Sequence, residues 1–201
     1  DNPGGFMRIC NGGDSTYGIT GNHDTIIRYN ISVDDGSSEA IFPIWKEIDN
    51  CKIYNNVVYT PSSTVYLMDT SASGGGNSVF YWSNNIIYSN DVVRYLIEDG
   101  GTHHWSYNCF YGTHKEPIWF FGLIIGWRNA TPDDNNKVTS NPDFVNPSSA
   151  GYGLDTLGGF KLQSTSPCIN AGTSISNNGG IDFWGNDLYN STADIGAHER
   201  Q

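Results

Sequence analysis

The sequence predicts an all-β chain folded as a parallel β-helix, a solenoid of stacked coils made from short strands. Asparagine recurs in similar apolar surroundings at Asn30, Asn56, Asn85 and Asn108, with spacings of 26, 29 and 23 residues. A repeat of this length, with turns rich in Gly, Asn and Ser between the strands, is typical of coils that stack on one another. No 3.6-residue apolar pattern occurs between these segments, which argues against helical repeats.

The recurring asparagine suits a coil that turns sharply at the same place in every repeat. Such a turn needs a residue that tolerates left-handed backbone geometry, and Asn does so at low cost. Because neighbouring strands lie about 4.8 Å apart, asparagines at one turn can hydrogen-bond from coil to coil as a ladder. We therefore expect Asn30, Asn56, Asn85 and Asn108 to stack at one turn.

A second strand is expected after each asparagine segment, and its end is polar. These strands are predicted at residues 40–45, 64–68 and 92–97, with residues 5–9 as their equivalent in the first coil. Acidic residues follow them at Glu47, Asp69 and Glu98. Because the coils stack in register, we expect these three carboxylates to form a row, one or two strand spacings apart.

Composition fits one globular domain and argues against a membrane span and against nucleic acid as a partner. The 201 residues are 37% hydrophobic, enough to bury a continuous core. They contain no apolar run of about 18 residues that could span a membrane. The net charge of −11 argues against nucleic acid, because phosphate binding needs clustered Lys and Arg. We expect coils over residues 1–147, and a final coil with an irregular C-terminal cap over residues 148–201.

The pattern is incomplete at the start and loosens after residue 112. Residues 1–9 already resemble a coil strand, without a helix to cover the first coil, and solenoid ends need covering. We therefore expect the chain to be the C-terminal part of a longer β-helix or half of a nicked one. Residues 1–20 would then pack against that missing part or a partner chain. Residues 118–125 fit either a wide strand or an insertion.

Cysteines and glycosylation sequons carry weaker information. Cys51 and Cys109 lie in strand segments, so we expect buried free thiols, with one bridge allowed if the protein is secreted. Sequons start at Asn30, Asn129 and Asn190, and the first should be buried in the ladder. A secreted and a cytoplasmic location both stay open.

The tail carries a resemblance to a known superfamily. The segments NPDFVNP, GFKLQSTSPCINAG, NNGGIDFWGN and DIGAHE resemble the closing coils of bacterial right-handed parallel β-helix proteins that act on carbohydrates. The internal segments IIRYNISVDDG and CKIYNNVVY are also similar to coils of this pectate-lyase-like superfamily. The resemblance spans most of the chain and implies a right-handed helix. It is much less specific for chemistry, because the same tail occurs in glycoside hydrolases, polysaccharide lyases and proteins of unknown activity.

Paired carboxylates are the predicted catalytic groups. Asp24 and Glu47 are 23 residues apart, a spacing similar to the Asp/Glu pair of β-helix β-xylosidases. The resemblance implies a glycoside hydrolase of plant-type poly- or oligosaccharides, with Asp24 as nucleophile and Glu47 as acid/base. The simpler alternative is that Asp24 only begins a strand and Glu47 pairs with Lys46 at the surface.

The remaining predicted site residues would contact substrate. They are His23, Trp45, Asp69 and Glu98. Trp45 would form a platform for a sugar ring, because exposed aromatic faces stack on sugars. Asp69 and Glu98 would bind hydroxyls, or raise the pKa of the catalytic acid by like-charge repulsion.

Two other functions stay open. Asp34 and Asp35 resemble the aspartates with which pectate-type lyases of this superfamily hold calcium, although no lysine follows one or two coils downstream on the same face. A turn without a ligand is the simpler explanation of Asp34-Asp35-Gly36. The third possibility is a glycan-binding module without turnover. Neither the hydrolase nor the binding module requires a cofactor, whereas the lyase requires calcium.

Aromatic and histidine side chains are abundant along the chain. Most of the tryptophans and tyrosines, including Trp82, Trp105 and Trp119, are expected to fill the core. The histidines in question are His103, His104 and His114. Because no matched further ligand accompanies them, we expect surface or turn positions for them and not a metal site.

Overall fold

A computed structural model of the chain shows an all-β architecture. It describes residues 5–7, 9–10, 22–36, 38–45, 48–69, 78–95, 101–151, 153–189 and 192–201. Glu47 and Glu98 lie outside the described residues, as do Lys46, Asn190 and most of residues 1–20. Within the described part, no helix is long and apolar enough to cross a membrane.

Fifteen strands and two short 3-10 helices make up the described structure. The first strands are β1 (Ile9–Cys10), β2 (Asn22–His23), β3 (Ile26–Arg28), β4 (Ile31–Val33), β5 (Phe42–Trp45), β6 (Ile48–Asp49), β7 (Cys51–Tyr54) and β8 (Val57–Thr60). The later strands are β9 (Val65–Tyr66), β10 (Met68–Asp69), β11 (Val79–Ser83), β12 (Ile86–Arg94), β13 (Thr102–Ser106), β14 (Cys109–Phe120) and β15 (Leu123–Asn129). The 3-10 helices are η1 (Pro147–Ser149) and η2 (Leu154–Phe160).

Parallel pairing between successive repeats dominates the sheets. The strand orders are β3-β7-β11-β13, β4-β8-β12-β14 and β1-β5-β10, with β2 beside β6 and β9 beside β12. Every pairing within these sheets is parallel. The register places Ile27, Ile53, Trp82 and Trp105 opposite one another in turn. Each repeat therefore contributes one strand to each of two long sheets.

Alternating side chains bury both faces of the β4-β8-β12-β14 sheet. Val58, Ile87 and Phe110 join an apolar cluster that also contains residues of the other two parallel sheets. Their neighbours Val57 and Ile86 join a second cluster, formed with the C-terminal segment. Because successive strand residues point to opposite faces, a sheet covered on both sides needs continuous apolar strands. The sequence Val57-Val58-Tyr59 meets that requirement.

The four recurring asparagines form the predicted ladder. Asn30 donates from its backbone N and its Nδ2 to Asn56 Oδ1, at 3.0 and 2.9 Å. Asn56 donates in the same way to Asn85, and Asn85 to Asn108, with all four distances between 2.9 and 3.1 Å. The expected stacking at one turn is confirmed. The Nδ2 of Asn30 also donates to the carbonyl of Arg28, so this sequon amide is engaged although Asn30 is only half-buried.

In each turn, the residue with left-handed backbone geometry is not the predicted ladder asparagine. Positive φ falls on the residue before each ladder asparagine: Tyr29 at 49°, Asn55 at 52°, Asn84 at 54° and Tyr107 at 58°. Two of these are tyrosines, although Asn tolerates the conformation best. The ladder position instead requires the side chain of asparagine. Its Oδ1 accepts hydrogen bonds from the preceding repeat, and its Nδ2 donates one to the next.

An aspartate ends the ladder where the sequence suggested only a turn-rich loop. Asn108 donates from its backbone N and its Nδ2 to Asp134 Oδ2, at 2.9 and 3.0 Å. Tyr107 N donates to the other carboxylate oxygen at 3.0 Å. A carboxylate accepts hydrogen bonds but has no amide N–H to pass on. Asp134 therefore terminates the chain of amides, one repeat length after Asn108.

Residues 118–125 form the tip of an antiparallel hairpin, which fits the expected insertion and not a single wide strand. β14 and β15 pair antiparallel, with Glu116 opposite Arg128 and Phe120 opposite Leu123. Phe121 and Gly122 make the turn with φ of 48° and 78°. Two successive left-handed residues are the pattern of a type I′ turn, which matches the twist of hairpin strands. The hairpin extends beyond the parallel part of the sheet.

Two predicted second strands are arranged differently. The segment predicted at residues 92–97 begins inside β12, a single strand that runs on from Ile86 to Arg94 with a register shift after Tyr88. The segment predicted at residues 64–68 is divided into β9 and β10, which pair with different strands. Continuous and divided strands share the same apolar composition, so the pattern did not separate them.

The C-terminal segment packs against the β4-β8-β12-β14 sheet, and buried carboxylates hold it there. Asn55 Nδ2 donates to the carbonyls of Asp194 and Gly196 at 3.0 and 2.9 Å. Asp194 in turn accepts from the backbone N of Asn170 and Arg200. Burial raises the pKa of Glu199 to about 7, because its carboxyl group lies among these acidic neighbours away from water.

Candidate functional site

An open cleft of about 610 Å³ lies between the last parallel strands and the hairpin. We call it the aromatic cleft, and its lining residues are Tyr95, Gly101, His103, His104, Trp105, Glu116, Pro117, Trp119, Arg128, Pro132 and Asp133. Three of these come from β13 and four from the hairpin, so its walls combine a rigid parallel sheet with a protruding loop. Its size lies within the usual range of small-molecule sites, roughly 300–1,000 Å³.

Stacked rings hold the β13 wall of the cleft in place. The register of β11 and β13 puts Phe80 opposite His103, Tyr81 opposite His104 and Trp82 opposite Trp105. All three pairs are stacked, with ring centroids 4.8 to 4.9 Å apart. Parallel pairing at one strand spacing produces this stacking directly, because facing side chains keep the same orientation. The wall is therefore preorganised.

His103 is a neutral, largely buried residue of this wall. Trp82 Nε1 donates to His103 Nδ1 at 3.0 Å, which places the proton of the neutral ring on Nε2. Burial, with a smaller effect of His104, lowers the pKa of His103 to about 4. Its Nε2 is buried and has no hydrogen-bond partner among the described residues. The expected surface or turn position is wrong for His103, since it lies in β13 inside a ring stack.

Tyr95 and His114 form a second buried polar pair behind the cleft. The Tyr95 hydroxyl and His114 Nδ1 are 2.9 Å apart, and the side chains are 2% and 5% exposed. Burial lowers the pKa of His114 to about 4. Burial, with a smaller effect of Glu116, raises the pKa of Tyr95 well above its usual value. His114 therefore also contradicts the expected surface position, whereas His104 is exposed as predicted but lies in a strand.

Charged groups lie at the mouth of the cleft. Arg128 Nη2 and Glu116 Oε2 are 3.2 Å apart across the hairpin. Asp133 lies on the loop that follows β15 and is exposed. Together with the half-exposed ring of Trp119, these groups offer hydrogen-bond donors and acceptors beside an apolar face. This is the combination that fixes the orientation of a polar ligand with apolar faces.

An exposed row of side chains leads from the cleft across the neighbouring strands. His104, Tyr81, Lys52 and Ile26 are successive register partners on β13, β11, β7 and β3, and all four are exposed. Three strand spacings separate the ends of this row, so it spans about 14 Å. We call it the exposed row. It connects the cleft to the end of the sheet where Asp24 precedes β3.

The predicted catalytic pair is only half described. Asp24 is exposed, has a φ of 57°, and accepts a hydrogen bond from Asn50 Nδ2 in the next repeat. His23 Nδ1 lies 3.4 Å from Asp49 Oδ2, and both side chains are well exposed. Glu47 lies outside the described residues, so the separation of the two predicted carboxylates stays a prediction.

The predicted substrate-binding residues are not seen as one row. Asp69 is half-buried and lies opposite Pro43 in the register of β5 and β10. Trp45 ends β5, and its strand position is described while its side chain is not. Glu98 lies outside the described residues. The structure therefore locates Asp69 and the backbone of Trp45 without bringing the predicted set together.

The proposed calcium aspartates bind hydroxyl groups of the protein. Ser62 Oγ donates to both carboxylate oxygens of Asp34, at 2.8 and 2.9 Å, and Ser32 Oγ donates to Asp35 Oδ2 at 2.7 Å. Asp34 also has a left-handed φ of 57°, as expected of a turn residue. Across the described residues, no group of three or more His, Cys, Asp or Glu is placed to hold a metal ion.

Sequence patterns missed the charged rim of the cleft. Glu116 and Arg128 flank the uncharged segment Pro117–Trp127, which contains four aromatic or branched apolar residues in its first half alone. An acidic and a basic residue on either side of an uncharged apolar segment could have indicated a hairpin with an ion pair at its base.

Comparisons with known protein families and with curated proteins find no match to this chain.

Proposed function

We propose that this protein is a carbohydrate-active protein whose parallel sheets are successive coils of a right-handed parallel β-helix. The parallel pairing of strands between repeats and the asparagine ladder, with its spacings of 23 to 29 residues, support the coil arrangement. The resemblance of the tail to such proteins supports the right-handed form. An oligosaccharide is the proposed ligand.

The aromatic cleft is the proposed saccharide site, and the main support for this is the exposed position of Trp119 in the cleft. Trp119 lines the cleft while remaining 43% exposed, so part of a large aromatic side chain is available to a ligand. A sugar ring has an apolar face that covers an aromatic ring and hydroxyls that reach charged groups at the rim. Glu116, Arg128 and Asp133 supply those partners.

The exposed row gives a longer saccharide a path across the coils. Tyr81 and His104 stack on each other beside the cleft, and Lys52 continues the row toward the first described coil. A chain of three or four sugar units would cover that distance, since the row spans about 14 Å. The cleft would hold one end of the oligosaccharide and Asp24 would lie near the other.

Replacing Trp119 by alanine is expected to weaken oligosaccharide binding about tenfold or more. Loss of one stacking platform removes roughly 1.5 kcal/mol or more of binding free energy. Isothermal titration with xylo-oligosaccharides and with oligogalacturonates measures the change. Phe121→Ala is the matched control, because Phe121 is 91% exposed on the same hairpin and does not line the cleft. Equal affinities for Trp119→Ala and the unchanged protein would remove the cleft from the proposal.

Hydrolysis of glycosidic bonds by Asp24 and Glu47 is the proposed reaction. Asp24→Asn is expected to reduce kcat for oligosaccharide hydrolysis by roughly 10²–10⁴. Its stability should hardly change, because the new side chain still offers an oxygen to Asn50 Nδ2. Glu47→Gln should have an effect of the same order, and Asp155→Asn is the control at an exposed carboxylate outside the proposed site.

The same assay separates the alternative functions. Full activity in Asp24→Asn and Glu47→Gln, together with loss in Glu116→Gln or Asp133→Asn, would move hydrolysis into the cleft. Product formation from polygalacturonate that requires added calcium would indicate a lyase, in which Asp34 and Asp35 become the expected ligands. Binding without turnover of either substrate would indicate a glycan-binding module.

A further inference from the structure

Two of the four cysteines are in contact with each other. Cys109 is the first residue of β14, and Cys168 lies in a turn of the C-terminal segment. Both are 0% exposed and belong to the same apolar cluster, with Ile86 and Ile195 as neighbours. Cys168 lies close enough to the Cys109 thiol to be the main cause that raises the pKa of Cys109, and Cys109 Sγ also lies 3.7 Å from the carbonyl oxygen of Ser140. Both cysteines are free thiols in this structure.

The other two cysteines are placed differently. Cys51 is buried in the separate cluster between the parallel sheets, and Cys10 is exposed at the end of β1. Neither belongs to the cluster that contains Cys109 and Cys168. The fold thus brings together one specific pair from residues 59 positions apart, which the sequence spacing alone did not select.

We propose that Cys109 and Cys168 form an intramolecular disulfide when the chain folds in an oxidising environment. The oxidant is a small-molecule disulfide such as oxidised glutathione. One protein thiolate attacks it and releases one small thiol, forming a mixed disulfide. The second protein thiolate then attacks the protein sulfur of that bond and releases the second small thiol. Two protein thiols lose two electrons and two protons, and one small disulfide becomes two thiols.

The bond is expected to form during folding and to be protected afterwards. The neighbouring Cys168 and, second, burial raise the pKa of Cys109 well above its usual value, so the thiolate that reacts is scarce in the folded protein. Once formed, the bond would fasten the C-terminal segment to the outer face of the β4-β8-β12-β14 sheet. That segment covers Val57 and Ile86, which would otherwise be exposed.

Oxidative refolding of the full chain tests this proposal. The protein is refolded with oxidised and reduced glutathione or with a reductant alone, then alkylated in denaturant and analysed by mass spectrometry. Two alkylated cysteines and a cross-linked Cys109–Cys168 peptide are expected after oxidative refolding, against four alkylated cysteines with the reductant. Closing a loop of this length should raise Tm by roughly 10 °C.

Variants assign the Tm difference to this bond. Cys51→Ala should keep the Tm difference between oxidised and reduced samples, whereas Cys168→Ala should abolish it. Because both substitutions remove a buried sulfur, Cys51→Ala controls for lost packing. Peptide mapping of the unchanged protein needs neither variant to fold well. Four free thiols after oxidative refolding, or a bond that includes Cys10 or Cys51, would overturn the proposal.

Discussion

Asn85→Ala is expected to destabilise the protein by about 3–5 kcal/mol, as the largest single effect of the asparagine ladder. Asn85 is 2% exposed, and its Oδ1 accepts from both the backbone N and the Nδ2 of Asn56. Its own Nδ2 donates to the carbonyl of Ile53 at 2.8 Å and to Asn108 Oδ1 at 3.0 Å. Alanine makes none of these bonds and is too small to fill the space.

The expected loss of stability follows from buried polar groups that lose their hydrogen-bond partners. The backbone N of Asn56 and the carbonyl of Ile53 would lose partners in a region where little water reaches them. A buried group without a partner costs about 1–3 kcal/mol, and two such groups give most of the predicted effect. For a domain of this size, the midpoint temperature should fall by roughly 10–15 °C.

Urea unfolding followed by tryptophan fluorescence measures this loss, with two variants for comparison. Asn90→Ala is the surface control, because Asn90 is exposed and outside the ladder. Asn30→Ala should cost less than Asn85→Ala, since Asn30 is half-buried at the first described position of the ladder. A loss below about 1 kcal/mol for Asn85→Ala would show that the ladder aligns the repeats without stabilising them.

The ladder shows which part of the fold the sequence could specify. Asn30, Asn56, Asn85 and Asn108 are recognisable because the same local chemistry is needed once per repeat, so residue type and spacing carry the information. Asp134 fills the next ladder position and was missed. An acceptor is all that the last position needs, and Asp in a Pro-Asp-Asp-Asn-Asn segment also fits an ordinary turn.

The hairpin shows what the sequence could not specify. The turn Phe121-Gly122 lacks the Asn-Gly or Asp-Gly signal of a type I′ turn, and phenylalanine rarely adopts positive φ. Its strands are also apolar on both faces near the tip, so the alternation that marks an exposed hairpin is absent. The aromatic cleft depends on this hairpin, because Trp119 and Arg128 reach it only through the antiparallel pairing.

The packing of the C-terminal segment against the β4-β8-β12-β14 sheet depends on contacts that are distant in sequence. Asn55 binds carbonyls of Asp194 and Gly196, about 140 residues later. The tail has neither a strand nor a helix periodicity, since it is held by carboxylates that accept from backbone N–H groups. Such contacts leave no spacing pattern. The predicted catalytic residues face the same difficulty, because Asp24 and Glu47 can be paired from spacing but not given a distance.

Acid is expected to destabilise the protein through His103 and His114. Burial lowers the pKa of each to about 4, whereas an unfolded chain has histidines near 6.5. Between these values the unfolded state binds more protons, so the free energy of unfolding falls as pH falls from 6.5 towards 4. Between pH 7.5 and 4.5, each histidine should remove roughly 2–3 kcal/mol of stability. Above pH 6.5 both contributions should be constant.

Glu199 titrates in the same range with the opposite sign. Its pKa is raised to about 7 in the folded state, so the folded state holds that proton more tightly than the unfolded chain. Its contribution to stability therefore grows as pH falls from about 7 to 4.5. The pH profile of the unchanged protein is a sum of these effects, and only differences between variants isolate the histidines.

Urea unfolding of His103→Gln and His114→Gln at pH 7.5 and 4.5 makes that comparison. Glutamine does not titrate, and at position 114 its side chain can still accept from the Tyr95 hydroxyl. Each variant will be less stable at pH 7.5, because ring packing against Phe80 or Tyr95 is lost. Each should nevertheless lose about 2–3 kcal/mol less stability than the unchanged protein on going to pH 4.5.

His104→Gln is the control, because His104 is exposed and lies in the same strand as His103. An identical pH dependence in all four proteins would contradict this prediction. It would mean that both buried histidines are protonated in the folded state as easily as in water, although His103 Nδ1 already accepts from Trp82.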